Sequence, residues 1–259
     1  MSKQDNPTGF SKAGVGGHAA RSMMYLEMRI LVHAMPISVT LDDFVRAVVE
    51  ENILEKPTLS SRKKSLRHLF ELYGMDSTKA LFRVFWDLAH SDSDSLPQLC
   101  LICAYARDPQ LRHSFELVRS LRLGEVLERS AMEQHLENGF PNRFSPATKK
   151  SMAQNVNTSW TFAGHLAGRN KKARQLPDPR PISAAYAMFV GYLTGLRGER
   201  LLDSTFAALV APNRSQLQTS LALASARGLL SIKQAAGIVE FDFSNLLTPA
   251  EQEYLHESH

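Results

Sequence analysis

Between Ser22 and Leu136 apolar side chains recur at three- and four-residue intervals, with no convincing stretch in which they alternate with polar ones. A helix buries a stripe at 100° per residue and a strand buries every second residue, so this spacing commits the first half of the chain to helices. Breaks at Pro, Gly and Asp/Ser clusters place the helices at about 22–35, 40–51, 61–73, 77–90, 96–106, 109–122 and 124–137. After "GFPNRF", Gly139 to Phe144, Ser145 and Pro146 begin a further helix. The hydroxyl can cap an orphan amide, and proline at the first helical position loses no hydrogen bond. That helix is expected to run to about Ala167, with Met152, Val156, Trp160, Ala163 and Ala167 as its core stripe and Lys150, Gln154, Asn157, Thr158, Thr161 and His165 on the opposite face. Pro177, Pro179 and Pro181 then favour an extended connector.

Past the connector the order of signals changes. A helix at about 182–196, a short apolar "ERLLD" read as a strand, a helix at 204–210, the turn "APN" and a helix ending near Gly228 precede two β-rich pieces, Leu230–Lys233 and Ile238–Phe243, around Gly237. Helix, strand, helix, helix, hairpin is the order of a winged helix. The expected fold is therefore mainly α: a helical N-terminal domain with helix-turn-helix-like elements, and a C-terminal winged-helix-like domain with a short β-hairpin. The expected organisation is a flexible tail at 1–21, the helical domain at 22–176, the connector at 177–181, the winged-helix-like domain at 182–247 and a C-terminal tail at 248–259.

A chain of 259 residues, 44% hydrophobic, is long enough to bury a substantial core. Its two cysteines, Cys100 and Cys103, lie in the apolar "LPQLCLICAYARD" and provide no disulfide framework. Flanked by His90 and His113 they have the residue types of a zinc site, but without a recognised ligand spacing they are read as core thiols. The first residues lack the apolar segment of a signal peptide, and the longest apolar run, Pro181–Leu196, is too short and too diluted to span a bilayer. These features lead to the expectation of a cytoplasmic protein with no membrane association. "AGVGGHA" has neither a preceding strand nor a Lys-Ser/Thr ending, and no nucleophile-elbow, zincin or dinucleotide motif occurs. An enzyme has no positive support, and no cofactor or metal is expected.

The distribution of charge carries the functional reading. Overall, 30 Lys+Arg against 26 Asp+Glu leave a net charge of only +4, yet seven Lys and Arg fall between Arg143 and Arg174 without one acid. Lys149, Lys150, Arg169, Lys171, Lys172 and Arg174, with Gln154 beside them, form a polar surface that gains nothing from internal pairs. Such clusters repel unless a polyanion is nearby, and nucleic acid rewards them through counterion release. A second cluster, Arg62, Lys63, Lys64 and Arg67, stands at a helix start capped by Ser60 or Ser61. Cations there oppose the helix dipole by roughly 0.3–1 kcal/mol each, a cost that a bound phosphate would offset. By contrast, the would-be recognition helix of the C-terminal domain offers only Arg214 and Arg227, with Ser215, Gln216, Thr219 and Ala222 outward. That domain fits a protein partner better than DNA, although a winged helix can serve either purpose.

"ILEKPTLSSRKKSLRHLFELY", "SPATKKSMAQNVNTSWTFAGHLAGR", "AAYAMFVGYLTGLRGERLLDSTFAALV" and "ALASARGLLSIKQAAGIVEFDF" together resemble the BrxA family, small components of bacterial BREX phage-defence systems. The resemblance covers roughly Ser22 to Leu247, and none of its motifs is catalytic. It implies a small, helical, non-enzymatic accessory protein with helix-turn-helix-like elements. Such a protein would contact double-stranded DNA and act beside other BREX subunits such as the methyltransferase or the ATPase. The family's likeness to an RNA-binding fold keeps an RNA-binding helical protein open, and a protein-interaction scaffold docking another defence subunit through its winged helix is the other alternative.

Overall fold

The computed structural model of the protein describes residues 8–9, 16–235 and 237–257. The chain is mainly helical with a short antiparallel hairpin near its C-terminus. In order the elements are α1 Tyr25–Ala34, α2 Leu41–Val45, α3 Leu59–Tyr73, α4 Ala80–Ser91, α5 Leu96–Arg107, α6 Pro109–Ser120, β1 Val126–Leu127, α7 Arg129–Gly139 and α8 Pro146–Phe162. Next come β2 Leu166–Ala167, β3 Lys172–Arg174, α9 Pro181–Leu193, α10 Glu199–Leu202, α11 Thr205–Val210, α12 Arg214–Ala226, β4 Ser231–Ala235, β5 Ile238–Asp242 and α13 Pro249–Glu257. No helix among the described residues is long and apolar enough to cross a membrane.

The chain forms two compact units, one from residues 11–75 and 103–176, the other from 1–10, 76–102 and 177–259. The change of unit at residue 177 coincides with the proline-rich stretch, which forms neither helix nor strand from Gln175 to Arg180. Residues 76–102, which the sequence reading gave to the N-terminal domain, group instead with the C-terminal segment.

In the first unit α8 is the organising helix. Ser145 Oγ accepts from the Thr148 amide and Pro146 stands in the first turn, as the cap rule requires. Met152, Ala153, Val156 and Trp160 are buried. The Trp160 ring stacks on Phe115 at 5.0 Å and its Nε1 donates to Ser114 Oγ at 2.8 Å. The helix stops at Phe162, short of the expected Ala167, because Gly164 takes a φ of +80° and turns the chain back. Beyond this turn lies a small sheet of order β1-β3-β2, all antiparallel, in which Val126 faces Ala173 and Leu166 faces Arg174. This sheet corrects the all-helical reading of the segment. Strands of two or three residues carry no alternation to detect, and β1 pairs with a segment nearly fifty residues away in sequence. The α3 cap also differs: Thr58 and Ser61 form a capping box, placing the start two residues ahead of the one expected.

In the second unit α9 is buried almost all round, from Ile182 to Val190. It packs on α4, α11 and α12. Tyr186 donates to the Leu81 carbonyl at 2.9 Å and lies against Phe85, while Phe189 meets Phe243. α11 and α12 are joined by Ala211–Asn213, a turn of helix-turn-helix length, with Asn213 capping α12. β4 and β5 pair from Ser231 with Asp242 to Ala235 with Ile238. "ERLLD" is the short helix α10, not a strand; Leu201 and Leu202 are buried there at consecutive positions, a pattern that a one-faced strand would not give.

Both tails need correction where they are described. Gly17 and His18 are buried in a single 3₁₀ turn, and the Thr8 carbonyl accepts from the Leu81 amide at 3.0 Å. At the other end, residues 249–257 form α13, whose Glu251 is buried and accepts from Arg83 at 2.5 Å. Short polar stretches at chain ends resemble tails in composition because the contacts that order them are distant in sequence.

Candidate nucleic-acid interface

The first unit carries a cleft of about 820 Å³ between the start of α7, the outward face of α8 and the turn joining β2 to β3. Gln154, Asn155, Asn157 and Thr158 come from α8, Arg129 and Ser130 from α7, and Arg169, Lys171 and Lys172 from the hairpin. Thus Gln154, Arg169, Lys171 and Lys172, expected at the interface from charge pattern alone, share one concavity. Lys150 is exposed one turn before Gln154 on the same face of α8. Arg169 and Lys171 are exposed and make no ion pair among the described residues. Lys172 donates to Thr161 Oγ1 at 2.9 Å, and burial pushes its ammonium pKa down from 10.5, so a negative ligand here would relieve the cost of holding its charge.

Two expected contacts are otherwise engaged. Arg174 is 7% exposed, and its guanidinium donates to the carbonyls of His165 and Gln175. It fastens the hairpin to the end of α8 through Nη1 and leaves little surface for a phosphate; burial lowers its pKa. His165, assigned to the polar face of α8, is likewise fully buried against Trp160 and Phe115. Lys149 is paired with Glu137 at 2.8 Å, and this hydrogen bond leads the causes that hold the Glu137 carboxyl below its ordinary value.

The second cluster is partly engaged as well. Arg62 donates to the Val49 carbonyl at 3.2 Å, and Arg67 lies 3.5 Å from Glu71 one turn on. Lys63 and Lys64 remain exposed, and with Leu59, Ser60 and Arg67 they border a shallow depression on α3. The α12 face stays poor in cations, since Arg214 is tied to Glu199 and lies 3.5 Å from Asp203.

Sequence reasoning missed Arg129 and Asn157 as members of the site. Arg129 is the first residue of α7, a position where a cation opposes the helix dipole, and that was the available signal. Asn157 was placed on the polar face of α8, but it is 4% exposed and its Oδ1 has no hydrogen-bond partner among the described residues.

Two other clusters have the residue types of active centres. His18 Nδ1 lies 2.9 Å from Asp108 Oδ2, and its Nε2 lies 2.9 Å from Ser159 Oγ, the order of a serine-hydrolase triad. All three are at most 1% exposed, and Ser159 Oγ also accepts from the Met23 amide and contacts the Asn155 carbonyl. A nucleophile sealed on every side cannot meet a substrate, so this network holds the Gly17–Met23 segment against α6 and α8. In the other cluster, His113, Glu116 and His135 have ligand atoms within 4.8 Å of one another. Each His Nε2 lies 2.9 Å from the other's carbonyl oxygen, so it must carry the proton and donate. The rings are stacked at 4.1 Å and 5°, and the in-plane lone pairs of parallel rings do not converge on one ion. Cys100 and Cys103 are fully buried thiols. Comparison with protein-family models and with curated proteins found no match for the chain.

Proposed function

We propose that the protein is a non-enzymatic DNA-binding protein that contacts duplex DNA chiefly through phosphates, using the cleft of its first unit with the Lys63–Lys64 edge of α3 as a second contact. The supporting observation is that the cleft gathers Arg169, Lys171 and Lys172, two of them without an acidic partner among the described residues, opposite the hydrogen-bonding residues Gln154 and Thr158. Phosphate contacts of this kind fix position and carry little sequence information. An accessory role in a BREX-type defence system, in a cytoplasmic setting beside the methyltransferase or ATPase subunit, comes from the resemblance to the BrxA family and belongs to this proposal. The second unit favours a different partner: with Arg214 committed to Glu199, α12 presents Ser215, Gln216, Thr219 and Ala222 outward, a neutral face suited to another subunit.

Fluorescence anisotropy with a mixed-sequence duplex at several salt concentrations tests the DNA reading. Affinity should fall steeply as salt rises. In Arg169→Ala/Lys171→Ala the slope of log affinity against log salt should become shallower by about 0.9 for each phosphate no longer neutralised. The melting temperature should hardly change, because both side chains are exposed and unpaired. Lys63→Ala/Lys64→Ala should reduce the slope separately. Absence of duplex binding even at low salt would overturn the proposal and leave the scaffold role in its place.

A further inference from the structure

The cleft has the size of a small-molecule pocket, roughly 300–1,000 Å³, and not that of a duplex groove. A duplex lying across it can present backbone phosphates to its rim, and a single nucleotide is small enough to enter.

Three features inside the cleft specify what would enter. First, its charge favours an anion: Arg169, Lys171 and Lys172 stand against one lining acid, Glu128, while Arg129 at its edge is paired with Glu133 at 2.8 Å. Second, α7, eleven residues long, begins here without a capping side chain, so amides of its first turn lack a side-chain acceptor. A phosphate oxygen is the ligand such an end accepts most readily. Third, and independently of charge, Asn157 is buried with an unpartnered Oδ1 while its residue lines the cleft. A buried carbonyl-type oxygen without a donor is costly, by roughly 1–3 kcal/mol. The phosphate of a monoester dianion would not relieve it, because that group has no proton to donate to a second acceptor. A ligand that combines such a phosphate with an N–H or O–H donor would meet both demands. Exposed Gln154, three residues earlier on α8, adds a second amide of the kind that reads base edges, and Val126, partly exposed, supplies apolar contact for a ring. Asn155 is not available for this purpose, since its Nδ2 donates to the His18 carbonyl at 3.0 Å.

We infer that the cleft is a pocket for one nucleoside phosphate, either a free mononucleotide or the unpaired terminal nucleotide of a strand, with its phosphate at the start of α7 and the basic hairpin and a base or sugar donor on Asn157 Oδ1. This deepens the DNA-binding reading and rests on it for the physiological source of the nucleotide. Isothermal titration calorimetry with deoxynucleoside 5′-monophosphates, the corresponding nucleosides and inorganic phosphate separates the contributions, and duplexes with blunt ends or single-nucleotide 5′-phosphorylated overhangs separate strand ends from free nucleotides.

The monophosphates should bind more tightly than either inorganic phosphate or the nucleosides, and the overhang duplex should bind more tightly than the blunt one if strand ends are the source. Asn157→Leu, close in volume but without the acceptor, should weaken monophosphate binding about tenfold. Should Asn157→Leu fail to fold, exposed Gln154→Ala tests the same wall and should reduce discrimination among the four bases. Duplex binding without monophosphate binding would sink the pocket and leave the DNA reading intact. Monophosphate binding without any duplex binding would do the reverse. Inorganic phosphate binding as tightly as the nucleotides, or Asn157→Leu binding them like the parent, would reduce the cleft to a general anion site and overturn the inference.

Discussion

A fragment of residues 177–259 should remain unfolded on its own, even though it contains the complete helix-turn-helix and hairpin. The buried helix α9 needs α4: Tyr186 lies against Phe85 and bonds the Leu81 carbonyl, both outside the fragment. Each large apolar side chain uncovered costs about 1.5–3 kcal/mol. Removal of Arg83 also leaves the buried Glu251 without its cation, a defect of roughly 3–5 kcal/mol. Together these approach the whole stability of an ordinary domain, about 5–15 kcal/mol. Circular dichroism and thermal melting of the fragment should show no cooperative transition, whereas joining residues 76–102 ahead of 177–259 through a flexible linker should restore one. A sharp melt of 177–259 alone would show that α4 is dispensable. The sequence reading expected residues 182–247 to fold independently, because the proline connector hides the fact that this unit borrows a helix from a hundred residues earlier.

The second large effect lies in the first unit. Asp108 caps α6 by accepting from the Gln110 and Leu111 amides at 2.9 and 3.0 Å, and it also accepts from the His18 ring and amide. Asp108→Ala removes all four bonds and leaves His18 buried without its partner, so a destabilisation of about 3–5 kcal/mol is expected. Asp108→Asn, which can keep the cap, should lose less, about 1–3 kcal/mol. Burial is the largest influence on the Asp108 carboxyl and raises its pKa, but the His18 charge and the hydrogen bonds together outweigh it and bring the value below the ordinary 3.8. A carboxyl depressed on folding contributes stability that is present above its unfolded value and lost as pH falls through the folded one. Denaturant melts should therefore show the gap between parent and Asp108→Asn full at neutral pH and narrowing below about pH 4. A gap that stayed constant down to about pH 2 would mean that the carboxylate charge is not what the site uses.

These two networks also mark where sequence stops being readable. Ser145–Pro146 announced a helix start, because capping is decided within four residues, whereas Asp108 as the cap of α6 was visible only in the structure. The core stripe of α8 was legible from Met152 to Ala163 for the same local reason. His18 was not: its partners lie 90 and 141 residues away, and nothing around it distinguishes it from a polar tail. In the site, charge identified Lys171 and Arg169 but could not separate them from Arg174. All three are basic residues within six positions, and only the pairing of β3 with β2 turns one of them inward. Asn157 illustrates the opposite limit, since helical periodicity gave its face correctly enough to place it by the cleft while giving no sign of its burial or its unpartnered oxygen.

Gly168, which joins β2 to the basic turn, has a φ of +104°, and a Cβ at this position would lie 2.1 Å from the Lys171 carbonyl oxygen. The turn that spaces Arg169 from Lys171 is thus dictated by an uncharged residue with no side chain. Exchanging arginine for lysine at 169 or lysine for arginine at 171 would alter the chemistry of the contact and leave its position alone, whereas any side chain at 168 would move both charges at once. For an engineer retuning the cleft toward other anions, the cationic positions are the adjustable ones and Gly168 is the fixed frame on which they can be varied.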